Sequence, residues 1–372
     1  MHMKVKNMLP LTDDFQPPVL LYRDEQLQRM LQLTTSGYPE NLWLEGDKGL
    51  GKTLTCKHFA SELEARGMGK AFFMQCTYSL GKSMEKMRDD YHLDISKRSL
   101  SPSSIASAIV KKYPQAPLIT LIMEEPEECR SWRDIRRFTH ALYNALLEQC
   151  GRLKFNICFT SRVLYVNALK ELEGEHDSRL QLRPMLFPAY NEEQIVGILK
   201  QRLTYAFENM EVYDEEALRI IARHVARVGS DIREALEILR HSIELAADKL
   251  TVNVAKAAVE WGKDMWWAKQ MYGLPPHVAL TLYLAAEEAL KNEGSTTAVT
   301  VLNRYEQYLR ERKMSVGRRT FYYILSKLSE KGFFTQERKA GFGSPAELVF
   351  HLDDAKRIVK VGEKIDWHHH IT

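Results

Sequence analysis

Several things are scarce in this sequence, and each scarcity excludes a class of protein. The five cysteines, Cys56, Cys76, Cys129, Cys150 and Cys158, are odd in number and show no C-x-x-C spacing. That argues against a disulfide framework and a zinc knuckle, and it fits a reducing compartment. No run of 18 apolar residues occurs, and the first residues lack the charged-then-apolar layout of a signal peptide, so a soluble, cytoplasmic protein with no membrane partner is expected. Excess charge is missing too. Lys plus Arg total 52 against 49 for Asp plus Glu, a net +3, so any surface for a polyanion must be local. Only 13 Pro and 19 Gly stand in a chain that is 45% hydrophobic, which excludes disorder and collagen. No internal repeat or low-complexity segment is seen.

The 372 residues are long enough for two or three domains. Helical spacing covers 20–35, then Asn41 to Glu45 reads as a short buried strand, a glycine-rich turn follows, and helical periodicity returns from Leu54 to Ala65. Further strands are expected at Lys70 to Met74, Leu118 to Met123 and Phe155 to Phe159, with helices at 103–112 and 132–150. Alternating strands and helices imply a mostly parallel sheet covered on both faces. After Pro188 only helical patterns appear, at 192–209, 214–227, 230–248 and 252–262. Beyond Pro275-Pro276 come helices at 277–292, 297–312 and 317–331, then two β-like runs, Phe333 to Arg338 and Glu347 to Leu352. Three helices followed by a hairpin is the order of a winged helix-turn-helix. The expected domains are therefore 1–188, 189–270 and 271–372.

The glycine-rich turn, Gly46-Asp47-Lys48-Gly49-Leu50-Gly51-Lys52-Thr53 with Leu54 behind it, satisfies G-x-x-x-x-G-K-[ST] between a strand and a helix. Its glycines let successive N–H groups turn toward phosphates, Lys52 offers a point charge to the β- and γ-phosphates, and the Thr53 hydroxyl is placed for Mg²⁺. ATP or ADP with Mg²⁺ is the expected cofactor. Glu124 and Glu125 follow the apolar strand at the position of a Walker B pair. Glu124 stands where a shorter Asp usually orients the metal, whereas Glu125 retains the reach of a general base.

From Lys313 to Lys339 there are seven basic residues and two acidic ones. Arg318, Arg319 and Thr320 fall in the first turn of the expected recognition helix, with Tyr323 and Lys327 further along it. Arg338 and Lys339 flank the hairpin turn, where a wing meets DNA.

These motifs, in this order, resemble the archaeal replication initiators related to the origin recognition complex and its cell-division-cycle loader. The similarity runs from about residue 17 to 352. It includes Arg23-Asp24-Glu25-Gln26 ahead of the first helix, Phe187-Pro188-Ala189-Tyr190 leading into the helical region, and Gly229 to Leu239. The resemblance implies an α/β P-loop AAA+ domain with a parallel sheet, an α-helical lid domain and a C-terminal winged helix-turn-helix. It implies double-stranded origin DNA as partner, with paralogous initiators and the replicative helicase as further partners and a nucleoid-associated location. It makes Tyr190 part of the nucleotide site and Ser161 the polar residue between γ-phosphate and water. Arg233 becomes the lid arginine that reaches the phosphates; an anionic partner would explain a cation in a helix's first turn. Residues 77–113 correspond to an initiator-specific element that touches DNA. Glu124 and Ser161 depart from the family's Asp and Asn, and 174–183 does not match its arginine-finger stretch cleanly; Arg179 is the nearest finger candidate, with Arg183 as an alternative. A slow ATPase switch, or a nucleotide held without turnover, is expected. Two other readings remain open at this point: a STAND-type nucleotide-switched transcription regulator, and a clamp-loader or transposition-helper ATPase. STAND proteins usually follow their winged helix with repeats or a sensor domain.

Overall fold

The computed structural model describes residues 5–149, 154–172, 181–208, 212–229, 231–314, 317–337 and 346–367. The chain divides into two compact units, 1–258 and 259–372. In the first, five strands, β1 (Asn41–Glu45), β2 (Lys70–Gln75), β3 (Leu118–Glu124), β4 (Lys154–Ser161) and β5 (Leu182–Leu186), form one sheet in the order β2-β3-β4-β1-β5, every pair parallel. Side chains alternate between faces, as strand geometry requires. Trp43, Leu121, Ile157 and Phe159 belong to one core cluster. It also takes residues from α3 (Leu80–Asp90), α4 (Pro102–Lys112), α5 (Trp132–Gln149) and α6 (Tyr165–Leu172). Leu42, Leu44, Ile122 and Cys158 point the other way and are equally buried. There α2 (Lys52–Ala65) packs with its free Cys56 thiol beside that of Cys158, and α1 (Asp24–Thr35) lies beside α2.

Helix α1 starts at Asp24 rather than at residue 20. Tyr22 has φ 60° and Arg23, the N-cap, φ −132°, so the backbone there is not helical and Leu20 and Leu21 belong to the preceding extended segment. Residues 77–113 form two helices whose Met87, Ile105 and Ile109 are part of the sheet's own core.

A helical subdomain follows the sheet in the same unit: α7 (Glu192–Ala206), α8 (Glu215–Val228), α9 (Ile232–Leu245) and the start of α10 (Val252–Tyr272). Helix α7 opens on a capping box between Asn191 and Gln194. Helix α9 opens on Asp231, whose carboxylate accepts from the Arg233 N–H.

The second unit takes the rest of α10, then α11 (Pro276–Lys291), β6 (Ser295–Thr297), α12 (Ala298–Glu311), α13 (Arg318–Glu330), β7 (Thr335–Glu337), β8 (Glu347–Val349) and α14 (Leu352–Gly362). The strands pair antiparallel in the order β6-β8-β7, giving the helix-strand-helix-helix-strand-strand succession of a winged helix. One core unites Leu280, Ala285, Tyr305, Phe321, Leu328, Leu348 and Ile358. Helix α10 runs ten residues beyond the expected end at 262 and contributes Trp267 and Met271 to that core.

Candidate nucleotide and DNA sites

The C-terminal ends of β1, β3 and β4 lie side by side, with Glu45 opposite Ser161 and Glu124 opposite Thr160. Ligands of open parallel sheets bind at such ends. The loop after β1 turns through three glycines with positive φ, Gly46 (152°), Gly49 (72°) and Gly51 (83°), the last capping α2. Close approach is built into each. A Cβ on Gly46 would lie 2.7 Å from the Phe187 carbonyl oxygen, one on Gly51 2.7 Å from the Tyr190 hydroxyl, and one on Gly49 1.9 Å from Asp231 Oδ1.

One cleft joins this loop to the N-terminal segment and the lid helices. Pro17, Leu20, Leu21, Ile198, Ile232 and Leu236 make an apolar part, and Lys48, Lys52, Lys57, Arg162 and Arg233 a cationic one. An apolar slot beside convergent cations suits a ligand with a flat ring at one end and phosphates at the other. Lys52 Nζ donates to the carbonyls of Gly46 (2.5 Å) and Asp47 (2.7 Å). Burial lowers its pKa, partly opposed by Glu127, Asp47 and Glu125. Arg233 pairs with Asp231 in a fork, at 3.1 and 2.9 Å, which raises its pKa. Arg23 is buried. It donates to the carbonyls of Leu50 (3.0 Å), Tyr22 (3.1 Å) and Pro188 (2.7 Å) and its guanidinium lies 3.8 Å from the Tyr190 ring centre. It thereby fastens the N-terminal segment and the start of the lid to the phosphate loop.

Glu124 ends β3 with its carboxyl near Thr53 of the phosphate loop. Its Oε1 is buried without a partner, and burial raises its pKa. Glu125 adopts left-handed backbone, φ 51°, a strain of the kind that collects at functional sites. Its Oε2 accepts from Gln75 Nε2 at 3.2 Å. Ser161 borders the cleft but has no exposed surface. Its hydroxyl donates to Glu127 Oε2 (2.8 Å) and accepts from the Val163 N–H (2.9 Å).

Of the sequence-derived nucleotide residues, Gly49, Leu50, Gly51, Lys52, Thr53, Leu54, Glu125, Ser161, Tyr190 and Arg233 line this one cleft. Gly46 and Glu124 adjoin it through Lys52 and Thr53. Arg183 lies on β5 beside Leu42, at the strands' opposite end, and pairs with Glu40 at 2.5 Å. Arg179, Arg338 and Lys339 lie outside the described residues. Sequence reasoning missed Asp13, Asp14, Lys57 and Glu127, and it gave no individual role to Lys48, Arg162 and Asp231. The one local signal was for Asp231, a helix-capping residue two positions after Gly229.

In the second unit, α13 buries Phe321, Ile324, Leu325 and Leu328, while Arg319, Thr320, Tyr322, Tyr323 and Lys327 are exposed. Arg318 is 73% exposed and pairs with Glu306 at 3.2 Å. Lys327 pairs with Glu330 at 2.6 Å and lies 5.7 Å from the Tyr323 ring centre. No acidic residue stands in the first turn of α13, so no side chain of that turn offsets the positive helix end. In the first unit, Lys82, Lys86, Lys97 and Arg98 are exposed on the 77–113 segment.

Residues 196–264 match the family model of the Cdc6 AAA+ ATPase-type lid domain. The chain is 24% identical over 380 residues to the ORC1-type DNA replication protein 1 of Sulfurisphaera tokodaii, covering 96% of this chain and 93% of that one. Its fold is similar to Aeropyrum pernix ORC1, solved in complex with DNA, with a TM-score of 0.71, 18% identity and 98% of each chain covered. It is also similar to Aeropyrum pernix ORC2, solved as ADPNP-ADP complexes, with a TM-score of 0.64, 18% identity and 96% and 97% covered. The lid match and the likeness along nearly the whole chain make this chain similar to the archaeal ORC1-type DNA replication proteins, with a lid of the Cdc6 type.

Proposed function

We propose that this protein is an ATP-binding DNA replication initiator that recognises double-stranded origin DNA. The observation that carries the reading is the presence, in one chain, of a lidded phosphate loop and a recognition helix whose exposed face is basic and aromatic. Similarity to ORC1-type replication proteins supports the initiator reading over the STAND and clamp-loader alternatives. In this reading the nucleotide-binding domain runs to residue 188, the lid to 270 and the DNA-binding domain beyond.

In this reading the N–H groups from Gly46 to Leu54 cradle the phosphates, Lys52 neutralises them, and Arg233 leaves Asp231 to reach them from the lid. Tyr190, braced by Arg23, closes the loop side. Glu124, with a buried and unpartnered Oε1 and Thr53 near its carboxyl, suits a hard cation, so Thr53 and Glu124 would hold Mg²⁺. Bound there, the ion would offset charge on the β- and γ-phosphates. Glu125 is the base that would accept a proton from the attacking water. Turnover is slow or absent, because Glu124 replaces Asp and Ser161 spends its hydroxyl on Glu127. A finger from a neighbouring copy, Arg179 in the sequence reading, would raise the rate.

For DNA, Arg318, Arg319, Thr320, Tyr323 and Lys327 on α13 are the groove contacts, and Arg338 and Lys339 the wing contacts. Exposed Lys82, Lys86, Lys97 and Arg98 give the core a second contact. Paralogous initiators and the replicative helicase are the protein partners, in a cytoplasmic, nucleoid-associated setting; among the described residues no helix is long and apolar enough to cross a membrane. Footprinting on AT-rich candidate origin duplexes, with ATP, with ADP and without nucleotide, tests the reading: discrete protection is expected, and uniform cleavage on every duplex would overturn it.

A further inference from the structure

Cys56, Cys76, Cys129 and Cys158 are all free thiols, and they stand as two neighbouring pairs. Cys56 and Cys158 are both fully buried between α2 and the sheet. The other pair is asymmetric. Cys76, just past β2, is buried in the core cluster beside the sheet, whereas Cys129 packs on that cluster while only half-buried. Backbone bonds bracket the two residues: the Cys76 N–H donates to the Glu124 carbonyl at 2.9 Å, and the Arg130 N–H to the Tyr78 carbonyl at 3.2 Å. The chain leaving β2 therefore runs against the chain leaving the short helical turn Pro126–Glu128, which Cys129 closes with its N–H on the Pro126 carbonyl. The two thiols lie side by side.

We propose that Cys129 and Cys76 form a peroxide-reactive dithiol, in which Cys129 is oxidised first and Cys76 resolves it into a reversible disulfide. The Cys129 sulfur attacks one oxygen of hydrogen peroxide, the O–O bond breaks, and the other oxygen leaves as water, giving a sulfenic acid. The Cys76 sulfur then attacks the Cys129 sulfur and breaks its S–O bond, and the hydroxyl leaves as a second water with the Cys76 proton. Two thiols lose two electrons and two protons, and one peroxide becomes two waters. Access sets the order, because Cys129 has surface that an oxidant can reach and Cys76 has almost none. Reactivity agrees: the adjacent Cys76 thiol lowers the pKa of Cys129, partly opposed by burial and Asp134, which favours the nucleophilic thiolate. The buried neighbour captures the sulfenic acid before further oxidation. Cys56 and Cys158 lack an accessible member and stay reduced. The new bond would close a ring over residues 77–128, which holds the 77–113 segment, β3 and the acidic residues after it. Gln75, beside Cys76, already bonds Glu125, so the disulfide would tie both ends of the stretch from Glu125 to Cys129 to the end of β2. None of this chemistry needs nucleotide or DNA.

The test treats the full chain, reduced and then freed of reductant, with a small excess of hydrogen peroxide. Free thiols are counted after denaturation and cross-links are mapped by peptide mass spectrometry, for wild type, Cys129→Ser, Cys76→Ser and Cys76→Ala. Wild type should lose two thiols in the first phase, gain a cross-link between Cys76 and Cys129, and recover both thiols with dithiothreitol. Cys129→Ser should lose thiols at least about tenfold more slowly. The Cys76 variants should stop at a sulfenic acid on Cys129, captured by dimedone. Melting curves show which of them are folded, and if neither is, wild type and Cys129→Ser decide the question. No thiol loss, a first cross-link through Cys56, Cys150, Cys158 or a second chain, a wild-type Cys129 that keeps its sulfenic acid without a cross-link, or an unchanged rate in Cys129→Ser would overturn the proposal.

Discussion

The carboxylate of Asp231, at the start of α9, lies directly on Gly49 of the phosphate loop: a Cβ at Gly49 would come within 1.9 Å of its Oδ1 and 2.8 Å of its Cα. The lid thus rests on the loop through a residue that must be glycine for two reasons, the missing Cβ and a φ of 72°.

Gly49→Ala should therefore push the lid from the loop and destabilise the protein by roughly 1–3 kcal/mol, with nucleotide affinity reduced. Paired with Asp231→Ala, which alone costs about 1 kcal/mol as a lost cap, the damage should be less than additive, since the second change removes the obstructing carboxylate. Thermal melting of the four proteins decides this; a Gly49→Ala variant that melts with wild type would refute the contact.

Lys52→Ala removes the cation at the loop's centre, and ATP binding should weaken by at least about 1.5–3 kcal/mol. Calorimetric affinities equal to wild type would remove Lys52 from the site.

Glu124 makes stability depend on pH with a definite sign. Burial raises its pKa, so it holds its proton more tightly folded than unfolded. Its contribution favours folding below the usual glutamate range, near about 4, and that advantage is lost as pH rises through the raised value. Glu124→Gln removes the cost of burying the charge. The variant should melt above wild type at pH 7–8 without Mg²⁺ and nucleotide, and the gap should close as the pH falls toward about 4. A gap that widens on acidification would show that Glu124 is stabilised as the anion.

Steady-state ATP turnover by the isolated protein should stay below about 1 per second, and Glu125→Gln should lower what there is. Faster hydrolysis would mean that Glu124 and the β4 end support catalysis better than their geometry indicates.

Parts of this architecture were legible because the pattern was local. Leu42-Trp43-Leu44 and the Leu118 to Met123 run are apolar enough to announce buried strands, and the glycine spacing of residues 46–53 admits one backbone role. Strand β5 was not legible: Arg183 and Pro184 are exposed, and only Leu182 and Met185 point inward, an edge pattern that resembles a loop. Strand β6 is Ser-Thr-Thr and owes its existence to pairing with β8. In the site, Lys52 and Thr53 were legible from spacing, whereas Arg162, Glu127 and Asp231 acquire meaning only when β4, the residues after β3 and the lid meet in space. Ser161, expected at that strand end, lines the cleft beside Arg162 with its hydroxyl donated to Glu127.

The central claim, that this chain reads duplex DNA through α13, is tested most directly by the salt dependence of binding to a candidate origin duplex, measured by fluorescence anisotropy for wild type, Arg318→Ala and Arg319→Ala. If four to six phosphates are neutralised, log K should fall against log salt with a slope of roughly −4 to −5, shallower by about 1 for a variant that loses a phosphate contact. Arg319→Ala should cost about 1–3 kcal/mol more on the preferred site than on random DNA. Wild-type slope and affinity in both variants, on both duplexes, would contradict the account and leave α13 as a protein-binding face.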